Sequence, residues 1–205
     1  MKRIYSLATK AASRAMGALA VLMLAGCATS LSAHVTSFQQ WPDGVAGQYY
    51  EFVAGDASQA GNLEYQAYRD MVRAAIGATG LVEARPGATA RFEVAFSYGT
   101  EPTQVITRQP VDPFFYGGGF YGPRWGWGGY FGPDWVPVPV SAVRNKLTVQ
   151  IRDKQQGGKE VYRSSAIAVT GREALPEVMP YLVRAVFDDF PGNNGRVREV
   201  RYRLD

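Results

Sequence analysis

Between Arg91 and Gly99 the chain alternates without a break. Phe92, Val94, Phe96 and Tyr98 take one side, and Arg91, Glu93, Ala95 and Ser97 take the other. Successive side chains of a strand project to opposite faces, so this pattern describes a strand with one face buried and one wet. A sheet of such strands needs a covering layer on one side only. Val143, Leu147, Val149 and Ile151 share one side of a second strand; Gln156-Gly157-Gly158-Lys159 turns the chain, and Val161 to Val169 returns as its hairpin partner. His34 to Phe38 and Gln48 to Val53 are also β-prone, and the turn-forming Pro42-Asp43-Gly44 separates them.

Two helices supply the cover. Leu63, Ala67, Tyr68, Met71, Val72, Ala75 and Ile76 fall on one face of a 3.6-residue period, with Glu64, Arg69, Asp70 and Arg73 opposite. Either Asp56-Ala57-Ser58-Gln59 or Asn62 caps the start, and Gly80 stops the helix. A second stripe holds Leu175, Val178, Met179, Leu182, Val183, Val186 and Phe187, disturbed early by Pro176 and Pro180 and ended by Pro191-Gly192. The tail from Arg196 to Leu204 adds an edge strand. Its arginines 196, 198, 201 and 203 read as a solvated edge in preference to an anionic-lipid or phosphate patch. The expected fold is α+β: a mostly antiparallel sheet with two amphipathic helices on one face and a long Gly/Pro/aromatic loop between strands.

That loop, Thr100 to Ser141, holds seven of the twelve prolines and shows no strand or helix period. Phe114 to Trp135 places ten aromatics in 22 residues, with Arg124 and Asp134 the only charges. A connection so long inside a compact domain is functional or disordered. Three readings stay open: the aromatics cover the open sheet face, form a stacking surface for sugar, peptide or another envelope protein, or touch lipid. Trp125, Trp127, Tyr130 and Trp135 are the candidate binding surface. Gly117-Gly118-Gly119 is no phosphate cradle, since it lacks the following Lys-Ser/Thr and the helix.

The first 26 residues are read as an address. Lys2, Arg3, Lys10 and Arg14 precede an eleven-residue apolar run, Ala15 to Ala25, which is short of the about 20 residues a membrane-crossing helix needs. Leu24-Ala25-Gly26-Cys27 resembles the lipobox of bacterial lipoproteins, and Cys27 is the chain's one cysteine. The resemblance implies cleavage before Cys27, a diacylglyceryl group on its sulfur and a membrane partner through that lipid. Ala28, where an aspartate is the inner-membrane signal, implies an outer-membrane anchor facing the periplasm. Residues 1–26 are then signal peptide, 27–32 tether, and 33–205 a single α+β domain with an insertion at about 100–141.

Losing the signal removes four basic residues and leaves 18 basic against 18 acidic, so the formal charge of +4 on the whole chain belongs to the signal. A neutral mature protein gives no reason to expect nucleic acid. His34 is the one histidine, and no His, Cys and carboxylate cluster has metal-ligand spacing, so neither metal nor cofactor is expected. Asp188-Asp189, or Asp112 with Asp134, are the candidate pairs for a glycoside hydrolase. Adjacent acids on a helix diverge, and an enzyme is not expected. Binding or scaffolding is the expected role; a cell-wall glycan-binding module or hydrolase is the alternative.

Several segments together resemble the bacterial lipoproteins of the domain-of-unknown-function 4136 family. They are the lipobox, Tyr49-Tyr50-Glu51-Phe52, Leu147 to Asp153, Gly157 to Arg163, and Ala185-Val186-Phe187-Asp188-Asp189-Phe190-Pro191. Tyr162 stands where members often have Trp, and Ser164 where Gly is usual. The resemblance implies a periplasm-facing α+β domain on a lipid tether and brings no catalytic residues. The order of elements is also similar to that of small accessory lipoproteins of outer-membrane assembly machines.

Overall fold

The computed structural model describes residues 30–54, 61–111, 134–192 and 194–204. The signal, Cys27, Asp56 to Gln59, Asp112, Trp125, Trp127 and Tyr130 lie outside the described residues. Seven strands form one mixed sheet: β1 (Ser30–Gln39), β2 (Tyr49–Phe52), β3 (Val82–Glu83), β4 (Phe92–Val111), β5 (Asp134–Asp153), β6 (Lys159–Thr170) and β7 (Val197–Arg203). Their order is β3-β2-β4-β5-β6-β1-β7. The pairs β4–β5, β5–β6 and β6–β1 are antiparallel, while β2 lies parallel to both β3 and β4. Ser32–Val200 make one compact unit, and β1 begins at Ser30, inside the expected tether.

The alternation seen in the sequence becomes the core. Phe92, Val94 and Phe96 of β4 lie opposite Asp153, Ile151 and Val149 of β5, and all six are buried. Helix α1 (Leu63–Ala75) starts where the Asn62 side chain accepts the Glu64 amide at 2.8 Å; a 3-10 turn over Ile76–Thr79 and Gly80, at φ 78°, end it. Tyr68, Val72 and Ile76 of the expected stripe are buried, joined by Tyr65, while Leu63 and Ala67 at its start are exposed, Leu63 by 80%. Tyr65 turns inward in the first turn because it stacks on Phe96 at 4.6 Å, next to Tyr68, which meets Tyr98 edge-on at 4.7 Å.

Helix α2 (Leu175–Phe187) packs on β5 and β6 with every expected apolar residue buried. Pro176 falls in its first turn, where a missing N–H costs no bond, and Pro180 lies on the exposed side. Beneath α2 the strands carry small residues: Ala33, Ser164, Ala166 and Ala168 are all fully buried. These small side chains let the helix approach, which gives Ser164 a packing reason at a position where glycine is usual in the resembling family.

The carbonyls that end α2 are satisfied from outside the helix. Tyr162 donates its hydroxyl to the Val186 carbonyl at 2.6 Å, and Arg198 donates to those of Asp188 at 2.6 Å and Ala185 at 3.4 Å. Arg198 thus separates from the cluster read as a solvated edge; Arg196, Arg201 and Arg203 are exposed. Burial pushes the Tyr162 phenol pKa up.

The Asp153 carboxylate is fully buried. It accepts from Arg91 Nε at 3.1 Å and Nη2 at 2.7 Å, from the Gln155 amide at 2.9 Å and from Gln156 Nε2 at 3.0 Å. Arg91 also lies over the Phe92 ring, 4.9 Å from its centre. The hydrogen bonds from Arg91, with those from Gln156 and Gln155, hold the Asp153 pKa below the usual carboxylate range against the opposing effect of burial.

Asp153→Ala is expected to cost about 3 kcal/mol in urea unfolding, the low end for breaking a buried pair, because Arg91 keeps part of its hydration. A depressed folded pKa makes this stabilisation complete above about pH 4, the unfolded value. It fades as pH falls through the folded pKa, so the gap between wild type and variant narrows in acid. Tyr162→Phe is expected to cost about 1 kcal/mol in the same assay, from the lost hydrogen bond at the end of α2.

Candidate functional site

Both ends of the stretch expected to be loop, 100–111 and 134–141, are strand, and 112–133 lie outside the described residues. β4 and β5 are twenty residues each and pair in one unbroken register from Phe92–Asp153 to Val111–Asp134. β6 accompanies β5 only as far as Val143, opposite Thr170, and β2 accompanies β4 only from Phe92 to Val94. From Thr103–Ala142 outward the ladder is a two-stranded arm, nine residues on each strand. At about 3.4 Å per residue it is about 30 Å long.

Valine, threonine and isoleucine dominate the arm, and they suit an extended backbone. Its prolines fit for a geometric reason. Val94 accepts the Val53 amide at 2.9 Å, so its backbone faces away from β5. Every second residue of β4 shares that direction, including Pro102 and Pro110. On β5 the outward positions are those in register with them, the series of Ile151 that includes Pro139 and Pro137. All four prolines therefore lack an N–H only where the ladder needs none. The expectation of a loop rested on proline content; the even spacing of 102 from 110 and of 137 from 139 was the signal that they share strand edges.

Apolar side chains lie on both faces of the arm, and most of its residues are exposed. One carries the cross-strand pairs Val105–Val140, Thr107–Val138 and Gln109–Val136; the other carries Ile106–Pro139, Arg108–Pro137 and Pro110–Trp135. Ile106 is 76% and Trp135 58% exposed. Arg108 and Asp134 are the two charged residues of the arm, 103–111 and 134–142. The arm's root is marked by Glu101 and Arg144, 3.7 Å apart.

Of the sequence-derived site residues, Trp135 is placed on this arm, near its far end. Asp134 opens β5 opposite Val111; its proposed companion Asp112 is outside the described residues. Asp188 follows α2 with Arg184 3.7 Å away, at the rim of an apolar groove of about 460 Å³ between the helices that includes Met71, Val183 and Phe187. Asp189 turns the chain at φ 67°, a left-handed conformation that Asp tolerates better than most residues. This placement gives the acid pair a role in ending the helix. His34 is exposed in β1 opposite Ile167. Among the described residues there is no cluster of three or more His, Cys, Asp or Glu side chains able to hold a metal, and no helix long and apolar enough to cross a membrane.

A seven-stranded α+β domain, helices on one sheet face and a long ribbon leaving one end, is the class of protein the geometry defines. The chain belongs to the family of the domain of unknown function DUF4136, whose sequence model matches residues 34–192. The match runs from β1 through the arm and α2 to Gly192. Among solved structures, a PDZ domain protein from Parabacteroides distasonis is similar over 84% of this chain, with 11% identity and a TM-score of 0.53. This chain spans 39% of that protein's length, and the likeness is one of fold alone. Two crystal forms of the PelC dodecamer from Paraburkholderia phytofirmans are similar over 75% of this chain and 93% and 94% of theirs. Their identities of 8% and 12% and TM-scores of 0.40 and 0.37 are too low to bear on this chain. No curated protein matches the sequence.

Because Ile106 is so exposed, Ile106→Asp is expected to change unfolding free energy by less than about 0.5 kcal/mol. Phe96→Ala, under α1, is expected to cost about 3–5 kcal/mol in the same denaturant titration.

Proposed function

We propose that the mature protein is a lipoprotein held by lipid on Cys27 to a bacterial envelope membrane, the outer membrane in a diderm cell, facing the periplasm. It acts there by binding or scaffolding, with the β4–β5 arm as its contact surface. The address is supported by the positive segment, short apolar run and Leu-Ala-Gly-Cys27 in the sequence. The observation that carries the binding role is the arm itself. An isolated two-stranded ribbon is marginal in water, and this one extends about 30 Å beyond the sheet with Ile106 and Trp135 largely exposed and its valines partly so. A surface of that kind is retained because something covers it.

A cell-wall glycan is the alternative ligand, and exposed Trp135 opposite Pro110 is the feature that favours it, since a sugar ring packs on a flat aromatic face. Neither reading uses a catalytic carboxylate. They separate by titration: Trp135→Ala abolishes binding to soluble peptidoglycan fragments if the glycan reading holds, and no binding by either protein rejects it.

The address is tested by membrane fractionation with mass spectrometry of the N-terminal peptide, wild type against Cys27→Ser. An acylated peptide beginning at Cys27 in the outer-membrane fraction, lost to the soluble fraction in the variant, is the expected result. An unacylated protein whose location ignores the substitution contradicts it.

A further inference from the structure

We infer that the β4–β5 arm is a bilayer-contacting ribbon, lying flat in the headgroup region with the face of Ile106 and Trp135 toward lipid and the opposite face toward water. The inference rests on the lipid-anchored reading above and adds to it the arm's own ligand.

Direction comes from the register. Ala33 of β1 is opposite Ala168 of β6, Ala168 is opposite Asn145 of β5, and Asn145 is opposite Thr100 of β4. This row lies three residues short of Thr103–Ala142, where the arm leaves the sheet. From it β1 runs away from the arm, reaching Gln39 opposite Tyr162. The chain therefore enters β1 from the arm's end of the sheet. Cys27 precedes Ala33 by six residues, a reach of at most about 20 Å of extended chain. An arm about 30 Å long leaving that end reaches a bilayer surface lying within about 20 Å beyond it.

Chemistry supports the same ligand. A soluble surface carries mixed charges throughout, but this ribbon has only Arg108 along its length and Asp134 at its outermost pair, and it exposes Ile106 and Trp135. Tryptophan is favoured at the membrane–water boundary, where one end of its ring is wet, and Arg108 is attracted by anionic headgroups. The edges set the depth. Backbone groups left unpaired in hydrocarbon are costly, so an open ribbon does not cross the bilayer but lies at its interface. Pro102, Pro110, Pro137 and Pro139 remove four of the outward donors and lower that cost. The same prolines deny a protein partner the donors that strand addition uses.

The test uses the mature lipidated protein in vesicles of phosphatidylethanolamine and phosphatidylglycerol. Cys27 is the one cysteine, so once it is acylated an Ile106→Cys substitution provides the single thiol for a nitroxide label. Lys159→Cys, at the opposite end of the sheet beside Asp153, is the reference position. The label at 106 is expected to have an oxygen-to-nickel-chelate accessibility ratio severalfold above that at 159. A label at 106 as open to the chelate as at 159 overturns the inference. A label shielded from both reagents also overturns it, in favour of a protein contact. The mass of the N-terminal peptide reads the anchor separately: unacylated Cys27 defeats the anchored reading, and the arm inference with it. Acylated Cys27 with a wet label defeats the arm inference alone.

Discussion

The fold depends on one register, the unbroken pairing of β4 with β5. A strand has period two, so a slip of one residue would turn Phe92, Val94 and Phe96 to solvent and put Glu93, Ala95 and Ser97 under the helices. The buried Asp153 carboxylate fixes that register at the inner end, because it meets Arg91 and the next turn of its own chain in one place. Further out, Thr107 donates its hydroxyl across the ladder to the Val138 carbonyl at 3.3 Å. The core and the arm are therefore two lengths of the same ribbon, and the placement of Trp135 follows from the ion pair some eighteen residues away along β5.

The helices divide the covered face by side-chain size. Over β4 and β2 the layer is aromatic: Tyr65 on Phe96, Tyr68 on Tyr98, and Phe52 edge-on to Phe96 at 6.3 Å. Over β6 and β1 alanines and serines bring α2 close to the sheet. At the far end of α2 the chain closes with a second aromatic group, in which Trp41 stacks on Phe92 and meets Phe190 edge-on at 4.8 Å. Asn194 then clips to β1, donating to the Gln39 carbonyl at 3.0 Å and accepting the Gln39 amide at 2.5 Å. The segment Phe187 to Pro191 is thus a structural closure of the domain.

Much of this was legible in the sequence. Period-two and period-3.6 patterns located the central strands and both helices, because each buries one face. The inward turn of Tyr65 in place of Leu63 was not legible, since it requires knowing that Phe96 waits beneath it. Arg198 and the Tyr162 hydroxyl were missed for a related reason: their partners are carbonyls at the end of a helix distant in sequence. The arm was not legible because its prolines obscure the strand period, although at an outward edge position a proline removes no ladder bond. Of the candidate surface, Trp135 has a defined place and the other three residues lie outside the described positions.

A ribbon whose inner half is core and whose outer half is bare should differ sharply in stability along its length, since local opening follows buried contact. Hydrogen exchange measures this directly. In the lipid-free mature protein, the amides of Val105, Thr107 and Gln109, which face β5, should exchange far faster than those of Ala95 and Ser97 in the same strand. On membranes the outer three should slow markedly while the inner two stay unchanged. Outer amides as protected as the inner ones without any membrane, or unaffected by its presence, would contradict the account of the arm as a surface completed by what it binds.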